Sequence, residues 1–297
     1  MVSPELTAMR DLLTATGRLD PDVAPADQRA VWDMLALLYP LPDDVTVTAP
    51  DAAGIRGEWI DTPGADPGRV LLYLHGGGYV IGSPTTHRLL AGRLSAALGA
   101  RVLLLDYRLA PEHRFPAALD DTVAAYRWIL GLGHEPGQLC VAGDSAGGGL
   151  AVAATVALRD QGVALPAAVA CWSPWVDLSC TMPSIVARDE RDVVLSKRWL
   201  TAMAAHYLHG VDATTALASP LYADLTGLPP LLVVVGTEEI LYDEAAALAT
   251  QAVAAGVDTE FEVFDGCFHL WMQLAALAPE AEAGIRRVAA FLRSRLT

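Results

Sequence analysis

A serine set between glycines, in Gly143-Asp144-Ser145-Ala146-Gly147, stands where the apolar run Leu139–Ala142 gives way to the helix-forming stretch Gly148–Ala154. Strand, Gly-x-Ser-x-Gly, helix is the context of a nucleophile elbow. A serine on so sharp a turn has strained backbone angles and points its hydroxyl away from the end of the sheet. Glycines two residues to either side let strand and helix approach. The new helix also aims unpaired N–H groups, that of Ala146 included, at whatever sits over Ser145. A phosphate-cradling turn would use similar glycines. No Gly-Lys-Ser/Thr follows, however, and the dinucleotide glycine spacing is absent.

A serine hydroxyl needs a base, and the base needs a carboxylate to orient it. In this arrangement the chain order is Ser, acid, His. Beyond residue 209 the only histidine is His269, in Asp265-Gly266-Cys267-Phe268-His269-Leu270. The acid is expected after the apolar run Leu231–Val235, where Glu238, Glu239, Asp243 and Glu244 crowd together and spacing alone does not choose among them. His75-Gly76-Gly77-Gly78 follows the first long apolar run. Its glycines can turn N–H groups inward, so Gly76 and Gly77 join Ala146 as the expected oxyanion hole. His75 itself reads as a brace for that loop. His206, His209 and Asp212 imitate metal-ligand spacing, but a solvated helix face explains them as well.

These groups need a scaffold to bring them together. Continuous apolar runs at 70–74, 102–105, 139–142, 168–171 and 231–235 suit strands buried on both faces. Helical patterns at 86–98, 117–131, 146–160 and 243–255 lie between them, which predicts right-handed crossovers and a parallel sheet. Two short strands are expected at 45–48 and 55–60. Thr259–Phe264 alternates like an edge strand with its glutamates turned outward, and a last helix covers 279–294. Residues 3–16 and 26–39 read as amphipathic helices docking on the protein's own core. Residues 180–212 read as an insertion carrying helices.

The chain has 297 residues, 53% of them hydrophobic, and no linker or repeat, so one decorated α/β domain is expected. A net charge of −15 argues against nucleic acid and anionic membranes as partners. The first residues resemble no signal peptide, no apolar run is long enough to span a bilayer, and the four cysteines form no Cys-x-x-Cys pair. A cytoplasmic enzyme fits these features.

Residues 70–296 resemble the bacterial hormone-sensitive-lipase-like esterases (family IV) of the α/β-hydrolase fold. The resemblance rests on His75–Gly78, Asp106-Tyr107-Arg108-Leu109-Ala110-Pro111-Glu112, Phe115-Pro116-Ala117-Ala118, Gly143–Gly147 and Ser173-Pro174-Trp175-Val176-Asp177. It implies an α/β-hydrolase fold: a mostly parallel eight-stranded sheet flanked by helices, with a helical cap from residues 1–45 and 180–212. It also implies hydrolysis of short- to medium-acyl esters without cofactor or metal, and a homodimer through strand 259–264 and the C-terminal helix. The family's acid motif is usually Asp-Pro-Leu-x-Asp-Glu, and here Glu239-Ile240-Leu241-Tyr242-Asp243-Glu244 stands in its place. Ser145, Glu239 and His269 are therefore the expected triad, with Asp243 the other candidate acid. Asp144 is expected to be structural, paired with an arginine such as Arg108. Trp32, Met34, Leu35, Tyr39, Tyr79, Trp199, Met203 and Leu208 could line a pocket or be ordinary packing. Lactone hydrolysis and acyl transfer to an alcohol remain open. The reading from another class is a non-catalytic small-molecule binding protein on the same fold, which typically lacks the base that His269 provides here.

Overall fold

The computed structural model describes residues 2–274 and 277–297, and within them a single sheet of eight strands runs through the protein. The strands are β1 (Thr46–Thr48), β2 (Gly57–Asp61), β3 (Asp66–Leu74), β4 (Ala100–Leu105), β5 (Leu139–Asp144), β6 (Ala168–Trp172), β7 (Leu231–Gly236) and β8 (Thr259–Phe264). They lie in the order β1-β2-β4-β3-β5-β6-β7-β8. The two pairings at the β1 edge, β1 with β2 and β2 with β4, are antiparallel, and every other pairing is parallel. Strand β3 extends the expected 70–74 backwards to Asp66, where its partner register shifts between Asp66 and Val70.

The central strands are apolar without alternation because both of their faces are covered, and Val70 to Leu74 are all buried. The helices are α1 (Pro4–Thr16), α2 (Pro25–Ala36), α3 (Pro84–Leu98), α4 (Ala117–Gly131), α5 (Ala146–Asp160), α6 (Pro183–Ala187), α7 (Lys197–Leu208), α8 (Tyr242–Ala254) and α9 (Pro279–Arg293). Helix α5 is buried from Ala146 to Leu158, so it is apolar all round rather than striped. Its glycines allow that burial: a Cβ on Gly149 would lie 2.1 Å from the Trp175 carbonyl oxygen.

Helix α1 begins as the sequence dictates. Ser3 accepts the Leu6 N–H at 3.0 Å, Pro4 opens the helix and Gly17 ends it. Helix α2 is shorter than the expected 26–39, ending at Ala36 in successive turns through Tyr39. It also departs from the expectation of a docked apolar face. Val31, Met34, Leu35, Leu37, Leu38 and Tyr39 are exposed, while the polar Gln28 is buried and donates to the Val23 carbonyl.

The segments 1–45 and 180–212 touch. Leu19 N–H donates to Val194 O at 3.1 Å, Trp199 Nε1 donates to Gln28 Oε1 at 3.2 Å, and Arg198 pairs with Asp22. At the far edge, β8 corrects the sequence reading. Glu260 and Glu262 do not turn freely outward, because Arg287 of α9 binds both. Period-two alternation therefore leaves Phe261 and Val263 exposed on the other face, each at 39%.

Candidate active site

The carboxyl ends of the parallel strands bring the candidate residues together. Ser145 follows β5 with φ 53° and ψ −123°, a conformation that costs a non-glycine residue about 1–3 kcal/mol. Three bonds impose it: Ser145 N–H to Trp172 O at 3.0 Å, and Ser145 O accepting from Gly149 and Trp175 N–H at 3.1 and 2.9 Å. No side chain fits around the turn. A Cβ on Gly143 would sit 2.3 Å from Gly147 O, and one on Gly147 would sit 2.0 Å from Leu74 O.

His269, in the loop after β8, brings Nε2 to 3.0 Å from Ser145 Oγ and Nδ1 to 2.9 Å from Glu239 Oε2. The other Glu239 oxygen, Oε1, accepts the Ser173 hydroxyl at 2.8 Å and the Gly236 N–H at 2.6 Å. Of the four crowded carboxylates, Glu239 is thus the one that meets the imidazole. Glu238 turns to Arg191 and Arg10. Asp243 accepts the Ser184 N–H at 2.8 Å, and Glu244 accepts the Val176 N–H at 2.8 Å. Burial pulls the His269 pKa down, but the Glu239 hydrogen bond and charge, with Asp192 and Asp144 beyond, outweigh it and leave it raised above 6.5.

The glycine loop differs in one respect from expectation. Gly76 does not keep a free N–H; it donates to Asp144 Oδ1 at 2.9 Å, so this residue leaves the expected oxyanion hole. Gly77 and Gly78 N–H have no partner among the described residues, and neither has that of Ala146, the first residue of α5. Asp144 also accepts the Tyr73 hydroxyl at 2.6 Å and faces His87 Nε2 at 3.3 Å, while Arg108 pairs with Asp121 instead. Burial pushes the Asp144 pKa up, yet His87 and Tyr73 hold it below the ordinary carboxylate value. His75 braces the loop through Nδ1 to Gly76 O at 2.8 Å and stacks on Tyr107. Burial, with His87 adding to it, drops its pKa to about 3.

Beside His269 an apolar cavity of about 810 Å³ opens between α1, α2 and the histidine loop. Its walls include Met9, Leu13, Trp32, Leu35, Tyr39, Phe268 and Leu270, the last two flanking His269. Of the other apolar candidates, Met34 is 61% exposed and Tyr79 is stacked on Tyr207. Trp199 and Met203 back Gly78, and Leu208 is buried. Asp212 is occupied in its own turn, accepting from Thr214 N–H and hydroxyl at 2.8 Å.

Several partners were not read from the sequence. Ser173 carried a signal, standing directly after an apolar strand at the same end of the sheet as Ser145. Tyr73, His87 and Asp192 carried none, since their meeting depends on the fold.

A hydroxyl, an imidazole and a carboxylate in one hydrogen-bonded series at the carboxyl end of this sheet define a class: serine hydrolases of the esterase kind. Comparison agrees. Residues 71–273 match a family described as the alpha/beta hydrolase fold. An acetyl-hydrolase of Streptomyces hygroscopicus is 47% identical, over 99% of this chain and 98% of its own length. An esterase of Acinetobacter venetianus is 35% identical, over 95% and 94%. The crystal structure of an esterase from the bacterial hormone-sensitive lipase family superposes with a TM-score of 0.96 at 46% identity, covering 100% of both chains. The chain belongs to this bacterial hormone-sensitive-lipase family of α/β-hydrolase esterases. No helix among the described residues is long and apolar enough to cross a membrane.

Proposed function

We propose that the protein hydrolyses short- to medium-acyl carboxylic esters through an acyl-enzyme, with Ser145 as nucleophile, His269 as base and Glu239 as the orienting acid. The unbroken series from Ser145 Oγ through the His269 ring to Glu239 Oε2, at 3.0 and 2.9 Å, carries this reading. His269 Nε2 removes the hydroxyl proton as Oγ attacks the ester carbonyl. The N–H groups of Gly77, Gly78 and Ala146 receive the charge that develops on the carbonyl oxygen. His269 passes its proton to the departing alcohol, and then activates the water that releases the acid. Glu239 does the work of the family's usual aspartate. The Ser173 and Gly236 bonds hold its carboxylate from behind.

Residues 1–45 and 180–212 act as the cap, and the 810 Å³ cavity under α1 and α2 takes the apolar part of the ester. A cytoplasmic location and a homodimer through β8 and α9 complete the reading. Four unpaired, buried cysteines support the first, and the free edge of β8 with exposed Phe261 and Val263 supports the second. Analytical ultracentrifugation tests the dimer, and a purely monomeric protein at micromolar concentration would remove it.

The central test is Ser145→Ala assayed on p-nitrophenyl butyrate. The expected loss in kcat is about 10⁴-fold or more, since the triad acts as a unit. A variant that keeps near-wild-type turnover would refute the assignment.

A further inference from the structure

Asp192 lies in the insertion, between α6 and α7, far in sequence from every triad member. It is 1% exposed. Its Oδ1 accepts the N–H groups of Val194 and Leu195 at 2.9 and 3.0 Å, which shapes its own loop. Its Oδ2 crosses to the catalytic domain and accepts the Ile240 N–H at 3.1 Å, one residue past Glu239. No arginine or lysine pairs with it among the described residues. A buried carboxylate without a permanent cation is expensive to keep. Through Ile240 it adjoins Glu239, whose Oε2 meets His269 Nδ1 at 2.9 Å, and that ring is the group that gains positive charge in the proposed reaction.

The rest of the insertion reinforces this contact. Arg188 reaches Thr237 O, Arg191 pairs with Glu238, and the Ser184 hydroxyl donates to Ile240 O at 2.7 Å. The loop that presents Glu239 is therefore gripped from outside the sheet, and only Asp192 brings an unpaired buried charge to it.

We propose that Asp192 is a positioning residue for the esterase reaction: it clasps the backbone at Ile240 so that Glu239 meets His269, and its charge favours the imidazolium formed as Ser145 attacks. Electrostatics agree with the placement. Burial raises the Asp192 pKa while His269 opposes the rise, and Asp192 in turn raises that of His269. Glu239 and Asp144 are the other carboxylates acting on the ring. The cap insertion thereby contributes to catalysis as well as covering the site. This inference rests on the triad reading.

The test compares full-length wild type, Asp192→Asn and Ser184→Ala on soluble p-nitrophenyl butyrate from pH 5 to 9. Asp192→Asn keeps the size and shape of the side chain but loses the charge and the acceptor facing Ile240. It is expected to lower kcat about tenfold or more with KM changed less than threefold. The acid limb of its kcat/KM profile should move to lower pH, which a merely structural role would not produce. Ser184→Ala loosens the same loop without touching the charge and should leave that limb in place. Should Asp192→Asn fail to fold, Asp192→Glu is read instead: the charge stays, so the limb stays, while the displaced carboxylate lowers kcat. Unchanged kcat with an unmoved limb in Asp192→Asn, or unchanged kcat in Asp192→Glu where that variant is the one read, overturns the proposal. If Ser145→Ala is inactive in the same assay, the triad survives that result; if it is active, the triad reading itself has failed.

Discussion

Glu239 Oε2 stands 2.9 Å from His269 Nδ1, while its Oε1 is held by the Ser173 hydroxyl and the Gly236 N–H. One carboxylate thus has an oxygen for the base and an oxygen for the scaffold. Glu239→Gln keeps the shape but offers the ring the wrong hydrogen-bonding pattern. Loss of tautomer control costs about 10⁴-fold in a comparable triad, and a loss of about 10³- to 10⁴-fold in kcat is expected here. Asp243→Asn, which disturbs only the Ser184 contact, should cost less than about tenfold. Steady-state kinetics of the two variants side by side check this, and the reverse ranking would move the acid role to Asp243.

The pH profile follows from the sign of the His269 shift. Its pKa is raised above 6.5, and the base must be neutral to act, so kcat/KM should climb with pH through a midpoint above 6.5. Stability runs the opposite way for this group. Its contribution is fully present below 6.5 and is lost as pH rises through the raised folded value. A rate flat from pH 5 to 8 would contradict His269 as base.

His75 has the contrary sign. With its folded pKa near 3, it stays neutral in the native protein while the unfolded chain takes up a proton below about 6.5. Stability should therefore fall as pH drops from 6.5 towards 3, and His75→Asn should flatten that part of the curve. Thermal midpoints measured across this range check it.

Asp144 and Arg108 separate a network from a surface pair. Asp144→Asn weakens bonds to Tyr73, Gly76 and His87 at the base of the glycine loop. Charge-assisted bonds of this kind contribute about 1.5–3 kcal/mol each, so a lower melting temperature and lower kcat are both expected. Arg108→Ala breaks a partly exposed pair with Asp121 and should cost about 0–1 kcal/mol. Melting curves and kcat for both variants provide the comparison.

Acyl-length preference should respond to the cavity wall. Trp32→Ala enlarges the 810 Å³ space without touching the triad, and is expected to raise kcat/KM for octanoyl over butyryl p-nitrophenyl esters about tenfold. An unchanged ratio would separate this cavity from the acyl chain.

The primary structure by itself determined the sheet and the chemistry attached to its strand ends. Apolar runs buried on both faces need no partner to be recognised, and Gly143, Ser145 and Gly147 are local requirements of one turn. Chain order likewise picked His269 out of seven histidines. Tertiary structure decided whatever depends on direction. Glu239, Asp243 and Glu244 are near neighbours in sequence, yet only where the chain turns after β7 does each side chain acquire its own partner. The same holds for Gly76, whose N–H is claimed by Asp144 from the adjacent strand, and for Glu260 and Glu262, turned towards Arg287 by the packing of α9. Hydrogen bonds between segments distant in sequence are set by the fold, because only the fold brings donor and acceptor within 3 Å and in line.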